Sequence, residues 1–222
     1  MVNKINEYDT EYIIPYGQTE VSEDEFSHCR DLEKLYVPSY VAKIDEKNFI
    51  ERNPKKIFVH HYQLCLAICG EKGTYAESCA RSVGVRFIEA DRWIKGNLLR
   101  AYFGRSEEVK IAEVINTIVN GAFRYAPHVK SIEMPDSLKY IESEAFMGCD
   151  LEEVKIPVGV KALGSRVFKD CANLKCVVFE NGQTKLDNDC FLGCSDELVI
   201  NAPCGGYVEE YANKYGIKFK SI

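Results

Sequence analysis

The chain has 222 residues, a net charge of −6, 46% hydrophobic residues and 28% charged residues, which suits one large or two small globular domains and excludes wholesale disorder. No apolar run approaches the ~18 residues of a membrane helix, and neither half is basic, so nucleic acid and anionic lipid are poor partners. The first nine residues, Met1 to Asp9, carry no apolar stretch of the kind a secretory signal needs, which predicts a cytoplasmic protein.

Internal repetition begins near residue 11. Pro15 and Pro38, Val21 and Ile44, and Phe26 and Phe49 all keep a common 23-residue step. The unit Leu32, Leu35, Val37, Pro38, Val41, Ile44 predicts a short strand, because apolar residues alternate at its centre. Proline then ends it, since it has no N–H for a ladder. A tight turn or 3₁₀ piece follows, and Phe packs from the outer side.

Residues 75–83 read as a helix. Thr74 and Glu77 form a capping box, Tyr75, Cys79 and Val83 share a face, and Gly84 predicts a left-handed stop. Next comes a linker with the single tryptophan, Trp93. Residues 97–103, 104–108 and 109–111 read as strand, turn and strand.

The repeat then resumes. Phe123, Phe146, Phe168 and Phe191 follow at almost equal steps, and Ile111/Met134 and Ile118/Ile141 keep the 23-residue step. The clearest unit holds Phe146, Cys149, Leu151, Val154, Ile156, Pro157, Val160 and Leu163; its neighbour holds Val129, Ile132, Met134, Pro135, Leu138 and Ile141. One such unit cannot bury its apolar side alone, whereas stacked units can, at roughly 1.5–3 kcal/mol per large aliphatic side chain before entropy. The helix signature returns at 207–215 with Gly216 behind it, and Tyr75/Tyr207, Glu77/Glu209 and Gly84/Gly216 share one offset. A solenoid end needs such a cover. An internal copy therefore predicts two arrays in tandem, residues 1–90 and 91–222, each closed by a short helix. The alternative is one continuous solenoid from which the first cap bulges.

Ten cysteines include no Cys-x-x-Cys pair, but four follow phenylalanine at a fixed offset: Phe26/Cys29, Phe146/Cys149, Phe168/Cys171 and Phe191/Cys194. That predicts buried, reduced packing residues.

The pattern Phe-x-x-Cys-x-x-Leu-x-x-Val-x-Ile-Pro, recurring at the 23-residue step, resembles the BspA-like leucine-rich repeat family of bacterial and protozoan surface antigens. The resemblance covers most of residues 11–88 and 97–222. Ala126 stands in place of the cysteine, Ala112 and Glu180 in place of the proline, and the stretch from Phe49 to Pro54 has no cysteine. The resemblance implies an α+β, β-rich leucine-rich repeat solenoid with short parallel strands. It also implies an interaction protein, often displayed at a cell surface, without catalytic residues or a cofactor.

Motifs for phosphate, dinucleotide, zinc-protease, serine-hydrolase and EF-hand chemistry are absent from the sequence. His28 beside Cys29 is a weak nucleophile–base candidate, because Cys29 is a repeat position. His60, His61, Cys65 and Cys69 form a metal-like cluster without the usual zinc spacing. Glu20, Glu23, Asp24 and Glu25 read as a solvated loop before a calcium site. An enzyme or metal protein with its site at the junction of the arrays is the second reading.

Surface remains. Strand positions between buried ones face the open side of the sheet: Ile13, Tyr36 and Phe58 in the first array, and Lys110, Glu133, Lys155 and Val178 in the second. An apolar stripe of Ile13, Tyr36 and Phe58 predicts a protein-binding surface, with a glycan as the second choice. The competing use of that stripe is to seat Trp93 or the second array.

Overall fold

The computed structural model describes Ile5 and residues 8–23, 25–26, 28–29, 31–50 and 66–222. The chain divides into two compact units, Met1–Asp91 and Arg92–Ile222.

In the first unit, β1 (Glu11–Ile13), β2 (Glu20–Val21), β3 (Lys34–Tyr36), β4 (Lys43–Ile44) and α1 (Lys47–Ile50) precede β5 (Ala67–Gly70), α2 (Tyr75–Val83) and β6 (Arg86–Glu89). Strands β1-β3-β5-β6 form one parallel sheet, and β2 pairs with β4 in a second. Leu35 lies opposite Tyr12 at the expected 23-residue step. Its other neighbour is Ile68, well beyond the next such step, so the repeat after α1 is longer than its fellows. Buried Asn48 ties this turn together. Its Oδ1 accepts from the Phe26 amide at 3.2 Å, and its Nδ2 donates to the carbonyls of Ser22 and Asp45. A buried amide side chain is tolerated only with such complete pairing.

The second unit starts with an antiparallel hairpin, β7 (Arg92–Lys95) and β8 (Leu98–Tyr102). Two ladders then grow side by side. One is interrupted: β9 (Glu108–Lys110) and β11 (Ser131–Glu133) form a two-stranded sheet, and β13 (Glu153–Ile156), β15 (Cys176–Phe179) and β17 (Val199–Ala202) belong to a separate one. The other holds the two-residue strands β10 (Thr117–Ile118), β12 (Tyr140–Ile141), β14 (Ala162–Leu163) and β16 (Lys185–Leu186), and continues β8. Helix α3 (Tyr207–Tyr215) and β18 (Lys218–Ser221) complete the unit, with β18 paired to β17. The alternation read from the sequence holds: Val154, Ile156, Val177, Phe179, Ile200 and Ala202 point into the core.

An aromatic column runs through this core. Tyr102, Phe123, Phe146, Phe168 and Phe191 stack with ring centroids 5.0–5.4 Å apart, and Tyr211 of α3 meets Phe191 edge-on at 6.0 Å. The recurring cysteine has a bonding reason. Cys149, Cys171 and Cys194 donate their thiols to the carbonyls of Phe123, Phe146 and Phe168, each one repeat back, at 2.9, 3.1 and 3.0 Å. Cys29, Cys149 and Cys171 are buried, as expected. Cys194 is only half-buried, because the last repeat has a helix and not another repeat behind it. All nine described cysteines are free thiols.

Both cap helices match their predicted bounds, and both stop at a glycine in the left-handed region, Gly84 (φ 71°) and Gly216 (φ 68°). The capping box differs from its expected form. Thr74 makes no side-chain bond to the helix amides; its hydroxyl donates to the Glu71 carbonyl at 2.6 Å. Glu77 instead accepts from the amide of Gly73, and Glu209 accepts from that of Gly205, so both helices use one carboxylate clasp. Carboxylates in a first turn are also favoured by the helix dipole.

Two outcomes follow from this packing. Phe168→Ala opens a void between Phe146 and Phe191 and is expected to cost about 3–5 kcal/mol, measurable by urea denaturation of the intact chain. The second concerns pH. Burial pushes the thiols of Cys149 and Cys194 up to about 12 and also raises Cys171 and Cys190, whereas unfolded thiols ionise near 8.5. Above that value the native state keeps protons that the unfolded state has lost. Stability is therefore fully present below about pH 8.5 and falls as pH climbs towards 12. A melting temperature that stays level from pH 8 to pH 11 would contradict this.

Candidate interaction surface

Each strand contributes alternate residues to the core and to the open face of its sheet. In the first unit the register aligns Ile13, Tyr36, Cys69 and Ile88 in one open-face row. The third place, expected for Phe58, is taken by Cys69, because the chain between β3 and β5 exceeds one regular step; Phe58 itself lies outside the described residues. Ile13 is half-buried. Tyr36 is 5% exposed and Cys69 1%, so the middle of this row is closed to water. Burial raises the Tyr36 phenol above its ordinary value and pushes the Cys69 thiol up to about 11. Beside the row, Lys34 and Glu11 form an ion pair at 2.8 Å.

The second unit presents a different open face. Its first part is charged and internally paired: Lys110 meets Glu133 at 2.5 Å, and Lys130 meets Glu107 at 2.9 Å. Further along, two rows cross four strands: Glu153, Cys176, Val199, Lys218 and Lys155, Val178, Asn201, Lys220. Cys176, Val178, Val199 and Asn201 are half-buried; the flanking Glu and Lys side chains are exposed. Asn201 Nδ2 donates to Cys176 Sγ at 3.3 Å, which holds the centre of the patch. Lys155 pairs with Glu180 at 2.5 Å, an interaction that raises the lysine and lowers the carboxylate relative to their ordinary values. Glu153, Lys218 and Lys220 form no ion pair among the described residues. The sequence points to Val178 and Lys155 here, and to a short strand after Gly216, but not to Cys176 or Val199. The missed signal was the second outward position of each strand.

The other candidates are dispersed or already bonded. Glu23 pairs with Lys47, and Glu25 accepts from Tyr12 and Gln18, while Asp24 lies outside the described residues. His28 sits 3.3 Å from the Ile5 carbonyl. His60, His61 and Cys65 also lie outside the described residues, and no three metal-ligating side chains converge among those described. A groove of about 330 Å³ lies between the last repeat turn and α3, lined by Phe191, Leu192, Cys194, Tyr211 and Tyr215. Its two phenols are engaged, Tyr211 donating to the Asn188 carbonyl and Tyr215 to Asn188 Oδ1. Its thiol is pushed away from ionisation by burial, which is the reverse of what a nucleophile needs.

The repeat stack, with its Phe column and Cys-to-carbonyl bonds, matches the family model described as the BspA type leucine rich repeat region, in six copies over residues 6–63 and 102–215. The chain belongs to that family. Among solved structures, this leucine-rich repeat chain is similar to a leucine rich cell surface protein from Faecalibacterium prausnitzii A2-165. The two are 21% identical with a TM-score of 0.50, over 95% of this chain and 59% of the other. It is also similar to a leucine-rich repeat protein from Eubacterium ventriosum ATCC 27560, with 16% identity and a TM-score of 0.45 over 90% and 67% of the two chains. A third, from Bacteroides ovatus ATCC 8483, gives 16% and 0.44 over 96% and 66%. At 21% identity the likeness to the Faecalibacterium protein shows the fold alone. The chain thus spans about three fifths of the length of the Faecalibacterium protein. No curated protein matches it. No helix among the described residues is long and apolar enough to cross a membrane.

Tyr36→Ala is expected to act on the fold of this repeat unit. Removing a side chain that is 5% exposed should cost about 3 kcal/mol, read as a drop in denaturation midpoint. An unchanged midpoint would restore Ile13 and Tyr36 as an open contact stripe.

Proposed function

We propose that this leucine-rich repeat chain is a non-catalytic interaction module that binds a protein through a sheet face, and that the contact centres on β15 and β17 of the second unit. The observation that carries this reading is the make-up of that face. A half-buried apolar centre, Cys176, Val178 and Val199, lies inside a rim of exposed Glu153, Lys155, Lys218 and Lys220. An apolar centre within a charged rim is the composition of protein contact surfaces. The two rows hold no aromatic ring on which a sugar would stack, which favours a protein over a glycan. In the first unit, Ile13 is the predicted stripe residue with a half-exposed side chain, and it supports a secondary contact at most. The surface location of the Faecalibacterium relative supports a contact made at a cell surface.

The test is Val178→Glu combined with Val199→Glu, compared with Tyr140→Ala on the other ladder. Neither valine is fully buried, so the doubly substituted chain is expected to keep its fold and to lose affinity for a captured protein partner about tenfold or more. Equal capture by the substituted and unchanged chains, with circular dichroism unaltered, would remove the face from consideration.

A further inference from the structure

We infer, resting on that reading of the face, that its occupant is an acidic amphipathic polypeptide segment, with carboxylates over β18 and apolar side chains over β15 and β17. The charge pattern carries this. Along the open face, the cations of earlier strands have carboxylates of their own chain: Lys110 has Glu133 and Lys155 has Glu180. Each such pair is supplied by a neighbouring repeat and leaves little for a partner to satisfy. Among the described residues β18 is the edge strand of this sheet, and the register sets Lys218 beside Val199 and Lys220 beside Asn201. Both lysines are exposed, both face the same way, and neither forms an ion pair among the described residues.

Geometry narrows the occupant. Alternate residues of a strand are about 6.6 Å apart, and so are alternate side chains on one side of an extended peptide. A peptide that crosses the strands therefore sets carboxylates at one end over Lys218 and Lys220 and apolar side chains further along over β17 and β15. The next strands inward, about 4.8 and 9.6 Å away, offer Val199 with Asn201 and then Cys176 with Val178. Glu153 lies one strand further and is also without an ion pair among the described residues. A partner negative at the β18 side and neutral or positive at the β13 side matches the face, and the reverse polarity places like charges together, which suppresses binding.

The net charge sharpens the test. At −6, the chain as a whole repels an anionic peptide, so attraction has to come from a local site. The probes are two fluorescein-labelled peptides of equal length, one with a Glu-rich end followed by valines and the other with Lys in place of each Glu, titrated against the intact chain by anisotropy at low and high salt. The acidic peptide is expected to bind about tenfold tighter or better, and added salt should erase the difference. Lys218→Glu with Lys220→Glu should reverse the order of the two peptides without changing the circular dichroism spectrum, because both side chains are exposed while Phe219 between them stays in place.

Equal affinity for the two peptides, or no measurable binding of either, overturns the inference. So does concentration-dependent self-association of the chain that the lysine substitutions abolish, because a second copy would then be the occupant. The two proposals fail separately. Loss of partner capture on Val178→Glu with Val199→Glu, together with no preference for the acidic peptide, keeps the face and removes its charge selectivity.

Discussion

The second unit depends on one constraint: each phenylalanine must have another ring one repeat away. Strands in a parallel ladder sit about 4.8 Å apart, and the rings from Tyr102 to Phe191 stack at 5.0–5.4 Å. The aromatic column and the backbone ladder therefore share nearly the same period, and neither has to bend to suit the other. The column also explains its own ends. Its two terminal rings are tyrosines. The Tyr211 hydroxyl donates to the Asn188 carbonyl, and the Tyr102 hydroxyl accepts from the Ser106 amide. A ring with one face towards the stack and one end towards polar groups is best served by a phenol.

The same period governs polar groups. A carbonyl at each Phe is offered to the thiol one repeat later, and lysines on successive strands meet glutamates at the same spacing. Exposed pairs of this kind contribute little stability individually, about 0–1 kcal/mol. Their effect on the surface is larger than their effect on folding, because they leave most of the open face electrically satisfied. What is left over, Lys218 and Lys220 next to Val199, stands out for that reason.

The repeat, the cap helices and the buried thiols were legible in the sequence because each is a fixed offset between identical residue types: Phe to Phe, Tyr75 to Tyr207, Phe to Cys. Tyr36 and Phe58 were less legible. Their assignment to one row assumed the regular step, while the chain runs on from Leu35 to Ile68 before the next strand pairs and brings Cys69 alongside Tyr36. Burial was harder still to foresee. Whether an outward strand position is wet depends on what covers the sheet, and strand alternation carries no record of that. The patch at Cys176 and Val199 escaped for a simpler reason. A four-residue strand has two outward positions, and the repeat pattern marks only the later one, Val178.

The near-identity of the steps between Phe123, Phe146, Phe168 and Phe191 makes the second unit extensible. Each junction from Phe123 to Phe191 is the same junction: ring on ring and thiol to carbonyl. A duplicated repeat placed between Phe146 and Phe168 would find both of its neighbours already shaped to receive it, whereas the same block after α3 would meet a helix and not another repeat turn. Length in this protein is thus free to vary from within, and the two ends stay as they are. A lineage can adjust how far its open sheet face reaches by copying a segment of its own gene, with no new packing contact to evolve.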